Sequence, residues 1–436
     1  MRGLAAALAA AAPERTGVVS SVLGLGLEVA GLGSAVGEIV AVTTSDGAVC
    51  EAEVVAAGRG TVRCMPLGRL AGVRTGDTVR ALRRGVLVPT GPALFGRVLD
   101  GLGRPIDGRG PITGAVRVPL ENEPPPAMHR ARIDTPLQTG VRVLDTLATV
   151  GRGQRLGLFA GSGVGKSSLL SMIARGTEAE VSVIALVGER GREVREFLDD
   201  DLGPEGLARS VVVVATSDEP ALMRLRAAFT ATRIAESFRE SGAHTMLMMD
   251  SLTRVAMAQR EVGLSAGEPP ATRGYPPSAF ALLARLLERA GTGATGSVTG
   301  VYTVLVDGDD HNEPVADAAR SILDGHIVLD RRLAVAGHYP PIDVLGSVSR
   351  VASKVNAPER TADAAALRRV LAALKAAQDL IDVGAYHPGS NPLVDAALAH
   401  ETAINTFCRQ RLDDQTPSEK AWAQLAHLAT TLGDTR

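Results

Sequence analysis

The sequence predicts an α/β fold with a mainly parallel sheet, preceded by a small N-terminal β-barrel and followed by a C-terminal helical domain. Three observations carry this. The segments QRLGLFA, VSVIALVG, SVVVVAT, TMLMMD and VYTVLVDG are near-continuous apolar runs, as strands covered on both faces must be. Segments of helical spacing such as GREVREFLDDDLG and ALMRLRAAFTATRIAESFRES alternate with them, which implies parallel strands joined by right-handed crossovers. Glycine-punctuated Val/Leu/Ile segments precede this alternation, and alanine-rich helical stretches follow it.

Taken in order, residues 1–15 open with Arg2 and an Ala/Leu run. Alanine is weakly hydrophobic but the best helix former, so this reads as a short helix that docks to a partner rather than as a secretory signal. Residues 16–84 carry GVVSSV, VGEIVAV, CEAEVVAA, TVRCMPL and GDTVRAL, the short punctuated strands of a barrel. No Phe, Tyr or Trp occurs before Phe95, so this barrel lacks the aromatic platforms on which single strands stack and is expected to serve protein assembly. Residues 85–355 hold the turn-rich GLGRPIDGRG and ENEPPPAM and then the strand–helix alternation, and residues 356–436 form the helical domain.

With 436 residues the chain can build roughly two or three domains with buried cores. Its formal net charge of -2 offers no global attraction to nucleic acid or an anionic membrane. Cys50, Cys64 and Cys408 are too far apart in sequence for a zinc or redox motif and fit a reducing cytosol. No uninterrupted apolar run reaches the roughly 20 residues that span a bilayer.

QRLGLFA leads into GSGVGKSS, and SLLSMIARG follows with helical spacing. Strand, glycine loop and helix in this order are the context of a phosphate-binding loop. Its expected binding residues are Gly161, Ser162, Gly163, Val164, Gly165, Lys166, Ser167 and Ser168, whose backbone N–H groups and helix N-terminus face phosphate oxygens. Lys166 would reach the β- and γ-phosphates of ATP and Ser167 would ligate Mg²⁺. Ala160 stands where the strict pattern begins with glycine, which is tolerable while the backbone keeps negative φ. TMLMMD puts Asp250 at a strand's C-terminal end, where open α/β sheets bind ligands, and suits it to Mg²⁺. VSVIALVGERGREV brings Glu189 and Arg190 to the same edge, a carboxylate to orient water and a cation to offset charge on the γ-phosphate.

Together AGSGVGKSSLL, GERGREV, MMDSLTR, EPPATRGYPPSAF, SILDGHIVLDRRLA and GHYPPIDVLGSVSR resemble the type III secretion export ATPases, relatives of the catalytic subunits of rotary ATP synthases. The similarity runs from FGRVLDGLGRPIDG to VGAYHPGSNPLVDAAL. It implies a RecA-like core in which Glu189 is the catalytic carboxylate, Arg190 contacts the γ-phosphate, and Arg254 supports the carboxylate. It further implies that Tyr339 stacks on adenine and that Arg350 enters the neighbouring subunit's site, hence a homohexamer. ATRGYPPSAF and AGHYPPID are similar to the flagellum-specific branch, HNEPVAD to the virulence injectisome branch, and the reading favours the former. The implied partners are a stator-like regulator, a central stalk protein, chaperone–cargo complexes and the export gate, at the cytoplasmic face of the inner membrane and without nucleic acid. Three rivals share parts of the pattern: the injectisome ATPase, a non-catalytic rotary subunit, which typically lacks a carboxylate at the place of Glu189, and a Rho-type RNA translocase, which the barrel's missing aromatics disfavour.

Overall fold

The computed structural model describes residues 13–306 and 313–433, so the helix expected in the N-terminal segment falls outside the described residues up to position 12. Six antiparallel strands close into the barrel: β1 (Thr16–Leu23), β2 (Gly26–Ala30), β3 (Ile39–Thr43), β4 (Val49–Ala57), β5 (Thr61–Pro66) and β6 (Thr78–Ala81). Their order is β1-β2-β5-β4-β3-β6, and β6 returns to β1 with Val18 opposite Thr78. Val19, Val29, Val40, Val42, Val54 and Val79 fill the lumen, β-branched side chains that pack well on a pleated surface. Strand β2 is absent from the expected set because the glycines of LGLGLEVAGLG break its pattern.

The chain then forms a ribbon of β7 (Leu87–Thr90) with β9 (Val116–Pro119), between which the short β8 (Val98–Leu99) joins the edge of the central sheet. The turns around β8 are pinned by charge. Arg97 Nε donates to Asp107 Oδ2 at 2.6 Å and Arg97 Nη2 to Gly110 O at 2.6 Å, both side chains buried. Arg97 holds the Asp107 carboxyl well below the usual carboxylate range.

The central sheet is built from β10 (Arg155–Ala160), β11 (Val181–Val187), β12 (Ser210–Ala215), β13 (His244–Asp250), β14 (Gly291–Thr292), β15 (Ser297–Leu305), β16 (Gly325–Leu329) and β17 (Ile342–Ser349). Its order is β17-β16-β10-β15-β13-β11-β12-β8, with β14 paired off the path to β15. Along that path β17 alone runs antiparallel to its neighbour among the described residues. Successive residues of the inner strands face opposite cores, as the two-residue period of a strand requires. Val183, Ala185, Val187, Leu247 and Met249 point to a core shared with the helices Ala221–Glu240, Leu252–Ala266 and Pro277–Glu288. Ile184, Leu186, Met246 and Met248 point to the core of the P-loop helix Lys166–Gly176, which continues into the C-terminal helices through Leu367, Trp422 and Leu425. The expected helix over GREVREFLDDDLG is instead a short α-helix, Gly191–Glu196, followed by a π-helical turn, Phe197–Leu202.

The barrel lumen forms its own core, while Ile39, Met65 and Leu67 are buried in the hydrophobic core of the central domain, and polar contacts add to this joint. Arg226, on the helix Ala221–Glu240, donates from Nε to Glu53 Oε2 at 2.7 Å and lies 3.6 Å from Glu121. Glu53 is buried, which raises its carboxyl, and Arg226 opposes that rise. Arg226→Met leaves this acid without its cation and is expected to destabilise the full chain by about 3 kcal/mol. A denaturation midpoint equal to that of the unsubstituted chain would contradict this role.

Candidate nucleotide site

β10 ends at Ala160, and the helix Lys166–Gly176 begins one loop later. Gly163 and Gly165 take φ of 74° and 100°, left-handed conformations that a Cβ opposes. Ala160 needs no such freedom: Arg83 and Arg273 are the non-glycine residues with positive φ among those described, so the methyl is accommodated at the end of the strand. Buried Val164 anchors the loop from below, while Ser162, Gly163 and Ser167 are exposed at its mouth and Ser168 is half-buried. Arg331 Nη2 donates to Ser162 O at 3.1 Å, a contact the sequence did not disclose.

Three charged groups converge beneath this loop. Lys166 Nζ lies 2.6 Å from Asp250 Oδ1 and 3.5 Å from Glu189 Oε1, with all three side chains at most 16% exposed. The sheet order explains the meeting. Lys166 follows β10, Asp250 ends β13, Glu189 follows β11, and β15 runs between β10 and β13. From β15, Thr303 Oγ1 donates to Asp250 Oδ1 at 2.8 Å and fixes the carboxylate.

One cation facing two anions leaves a surplus negative charge. Burial and the Asp250 charge push Glu189 up to about 6, and Lys166 and Arg254 only partly oppose them. Burial alone would lower the Lys166 ammonium, but Asp250 and Glu189 outweigh it and hold it above its ordinary value. Glu193 shares a hydrogen bond with Glu189 that raises Glu189; its own burial is outweighed by Glu189 and Arg190, so Glu193 lies below its ordinary value. Glu193 was legible only as part of GERGREV, and Thr303 only as a polar residue inside an apolar run.

Arg254 sits in the first turn of the helix Leu252–Ala266, whose N-cap Ser251 accepts from Arg254 N at 3.3 Å. Its side chain packs so closely on Gly188 that a Cβ there would lie 3.0 Å away, which directs the guanidinium toward the Glu189 loop. Tyr339 is half-exposed, and its Cε1 lies 3.5 Å from where a Cβ of Gly165 would stand. The C-terminal domain holds this segment, since Gln410 N donates to Tyr339 O at 2.9 Å.

Two expected site residues lie away from the cluster. Arg190 is 72% exposed and pairs with Glu193 at 3.0 Å rather than pointing at Lys166. Arg350 follows β17, where Ser349 stands opposite Gly325, so it lies at the N-terminal ends of β10 and β16, the reverse edge of the sheet from Lys166. Its Nη2 donates to Arg320 O at 3.4 Å and the side chain is exposed. The conformation of one chain therefore brings together Lys166, Glu189, Asp250, Arg254 and Tyr339 but leaves Arg190 at the rim and Arg350 remote.

Comparison with known proteins covers the same territory. Residues 19–83 match the ATP synthase alpha/beta family, beta-barrel domain; residues 140–349 match its nucleotide-binding domain; residues 356–427 match the T3SS EscN ATPase C-terminal domain. The chain is 50% identical to the "Flagellum-specific ATP synthase" of Bacillus subtilis, covering 95% of each, and 49% identical to the "Type 3 secretion system ATPase" of Xanthomonas euvesicatoria, covering 93% and 92%. It superposes with a TM-score of 0.90 on the assembled ATPase EscN of the enteropathogenic E. coli type III secretion system, at 42% identity over 95% of this chain and all of that one. On the same protein in complex with its central stalk EscO the TM-score is 0.87 at 41% identity, again over 95% of this chain and all of that one. Barrel, P-loop sheet and C-terminal helices thus find their counterparts in a single set of relatives along nearly their whole length, and the chain belongs to the ATP synthase alpha/beta family, among the flagellum-specific and type 3 secretion ATPases.

Proposed function

We propose that this chain is the Mg·ATP-hydrolysing ring ATPase of a flagellar type III protein export apparatus, freeing export substrates from their chaperones and promoting their entry into the export gate. The observation that carries the chemistry is the convergence of Lys166, Glu189 and Asp250 beneath one glycine loop. Entering phosphate would take over the Lys166 ammonium from the carboxylates, and Gly161 to Ser168 would supply backbone donors. Tyr339 offers its half-exposed ring to adenine.

The donor set fits Mg²⁺: Ser167 at the mouth and Asp250 beneath it present oxygen ligands, which this hard cation prefers. Bound there, Mg²⁺ would supply positive charge against the nucleotide's phosphates. Glu189, raised to about 6, is ionised at neutral pH yet basic enough to polarise an attacking water. After Lys166, Arg254 adds to the pull that favours the ionised carboxylate, and Arg190 reaches the γ-phosphate once it exchanges Glu193 for it.

Arg350 cannot serve its own chain from the far edge of the sheet, so it is donated to a neighbour in a head-to-tail homohexamer. The relatives' solved assembly and its central stalk support a ring with a stalk partner. The stator-like regulator, the chaperone–cargo complexes and a position at the cytoplasmic face of the inner membrane complete the reading, with nucleic acid outside it. Among the described residues no helix is long and apolar enough to cross a membrane. A second reading, the injectisome ATPase, is supported by the 49% identity to the Xanthomonas protein. Restoration of motility in a flagellar ATPase-null host favours the first reading, and restoration only of effector secretion favours the second.

Three measurements test the chemistry. Glu189→Gln should bind ATP and lose turnover on the order of 100-fold or more, while Lys166→Ala should lose turnover altogether with the fold intact; normal ATPase rates in either would refute the site. Protonation removes the base form of Glu189, so kcat/KM should fall as pH drops through about 6. Arg254→Met takes away a cation that draws Glu189 down and should move this acid limb to higher pH, an unmoved limb counting against the contact. Arg350→Ala should still bind ATP but hydrolyse it about a thousandfold more slowly, and undiminished turnover would refute donation of Arg350 in trans.

A further inference from the structure

A second polar cluster lies at the opposite ends of the strands from Lys166, and the chain's own nucleotide site makes no use of it. Arg155 opens β10, Asp324 precedes β16, and Arg350 follows β17. Arg155 grips Asp324 from three donors: its backbone N and Nε reach Oδ2 at 3.1 and 3.0 Å, and Nη2 reaches Oδ1 at 3.3 Å. Asp324 N returns the contact to Arg155 O at 2.8 Å.

With its side chain held in this way, Asp324 presents its carbonyl to Arg350. Arg350 N donates to Asp324 O at 3.0 Å, and Gln154 Nε2 donates to the same oxygen at 3.0 Å. Gln154 Nε2 also reaches Ser349 Oγ at 3.0 Å, and that hydroxyl donates to Thr149 O at 2.7 Å. Gln154 is fully buried, so water does not compete for these bonds. Arg155 is steadied from its other side by Glu288, which Arg130 holds in turn at 3.1 Å. The backbone of Arg350 is therefore clamped, while among the described residues its exposed guanidinium makes one long contact, 3.4 Å to Arg320 O.

A fixed stem with a free tip is what a group that must reach across an interface requires, because ordering the stem beforehand removes that entropy from the reacting complex. We infer that Asp324, locked by Arg155 and aided by Gln154, is a positioning residue for Arg350 and sets where its guanidinium enters the neighbouring nucleotide site. The inference rests on the reading of Arg350 as a residue donated in trans.

The experiment is subunit mixing with full-length protein. Asp324→Ala alone should lower kcat on the order of 100-fold with ATP affinity retained; unchanged kcat overturns the inference. Asp324→Ala is then mixed with Lys166→Ala, whose subunits hydrolyse nothing themselves but carry an intact Arg350 and its clamp. Activity should reappear, because each Asp324→Ala site can receive Arg350 from a Lys166→Ala neighbour. Arg350→Ala mixed with Lys166→Ala is the control. If the control recovers and the Asp324 mixture stays dead, Asp324 acts on its own subunit and the positioning role falls while donation in trans stands. If neither mixture recovers, donation in trans fails and takes the inference with it. Asp324→Asn, which keeps one side-chain oxygen for Arg155, replaces the alanine variant in the same mixtures if Asp324→Ala does not bind ATP, and the outcomes carry the same meaning.

Discussion

A lysine ammonium shared between two buried carboxylates is the interaction around which the rest of this structure is arranged. Ion pairs of this kind are costly to assemble in a desolvated setting, and removing one member leaves an uncompensated charge. Here burial, and after it the Asp250 charge, leaves Glu189 with an elevated affinity for protons that Lys166 and Arg254 only partly offset. The sheet order supplies the geometry. β15 separates the P-loop strand from β13 and contributes Thr303 to orient Asp250, while β11, one strand further on, delivers Glu189. Any reordering of these strands would disperse the three groups.

The two outer domains are coupled to this centre on different faces of its sheet. The barrel closes on its own valine core and meets the central domain through Ile39, Met65 and Leu67, which enter the core on one face of the sheet, and through the buried Glu53–Arg226 pair. The C-terminal helices share the hydrophobic core on the other face of the sheet. Gln410 extends that union to the nucleotide side, accepting from Arg142 N at 2.8 Å and donating from its own backbone to Tyr339 O. Rearrangement of the C-terminal helices is thus felt at Tyr339.

What the sequence disclosed follows the same division. Strands buried on both faces were legible because every position must be apolar, as in β11 and β12. β16 and β17 escaped because GHIVL and IDVLGSVS mix buried and half-buried positions at the edge of the sheet, where no such demand exists. β8 escaped because two residues hold no period. At the site, Lys166, Glu189 and Asp250 could be read from strand ends because the topology of an open sheet fixes where strand ends meet. Glu193 and Arg331 could not, since whether a helix residue or a distant loop turns toward the site depends on tertiary packing. Tyr339 came from a family pattern rather than from spacing, and its proximity to Gly165 is created by a segment far along the chain.

The polarity of β17 has the widest consequence. Had this strand run parallel to β16, Arg350 would emerge at the same edge as Lys166 and could close the site within one chain. Running antiparallel, it returns Arg350 to the base, with the length of β10, about 20 Å for its six residues, between the two. Arg350 and the glycine loop are therefore at opposite ends of one strut: β10 carries Arg155 and its contact with Asp324 at its start and the glycine loop at its finish. A second contact runs alongside, with the Arg320 guanidinium 5.1 Å from the Phe159 ring near the end of β10 and the Arg320 carbonyl accepting from Arg350. In a head-to-tail ring each subunit would then stand between two nucleotides, binding one with its upper edge and completing the other with its lower. Sites linked in that way are connected in series, so the occupancy of one has a structural route to the competence of the next.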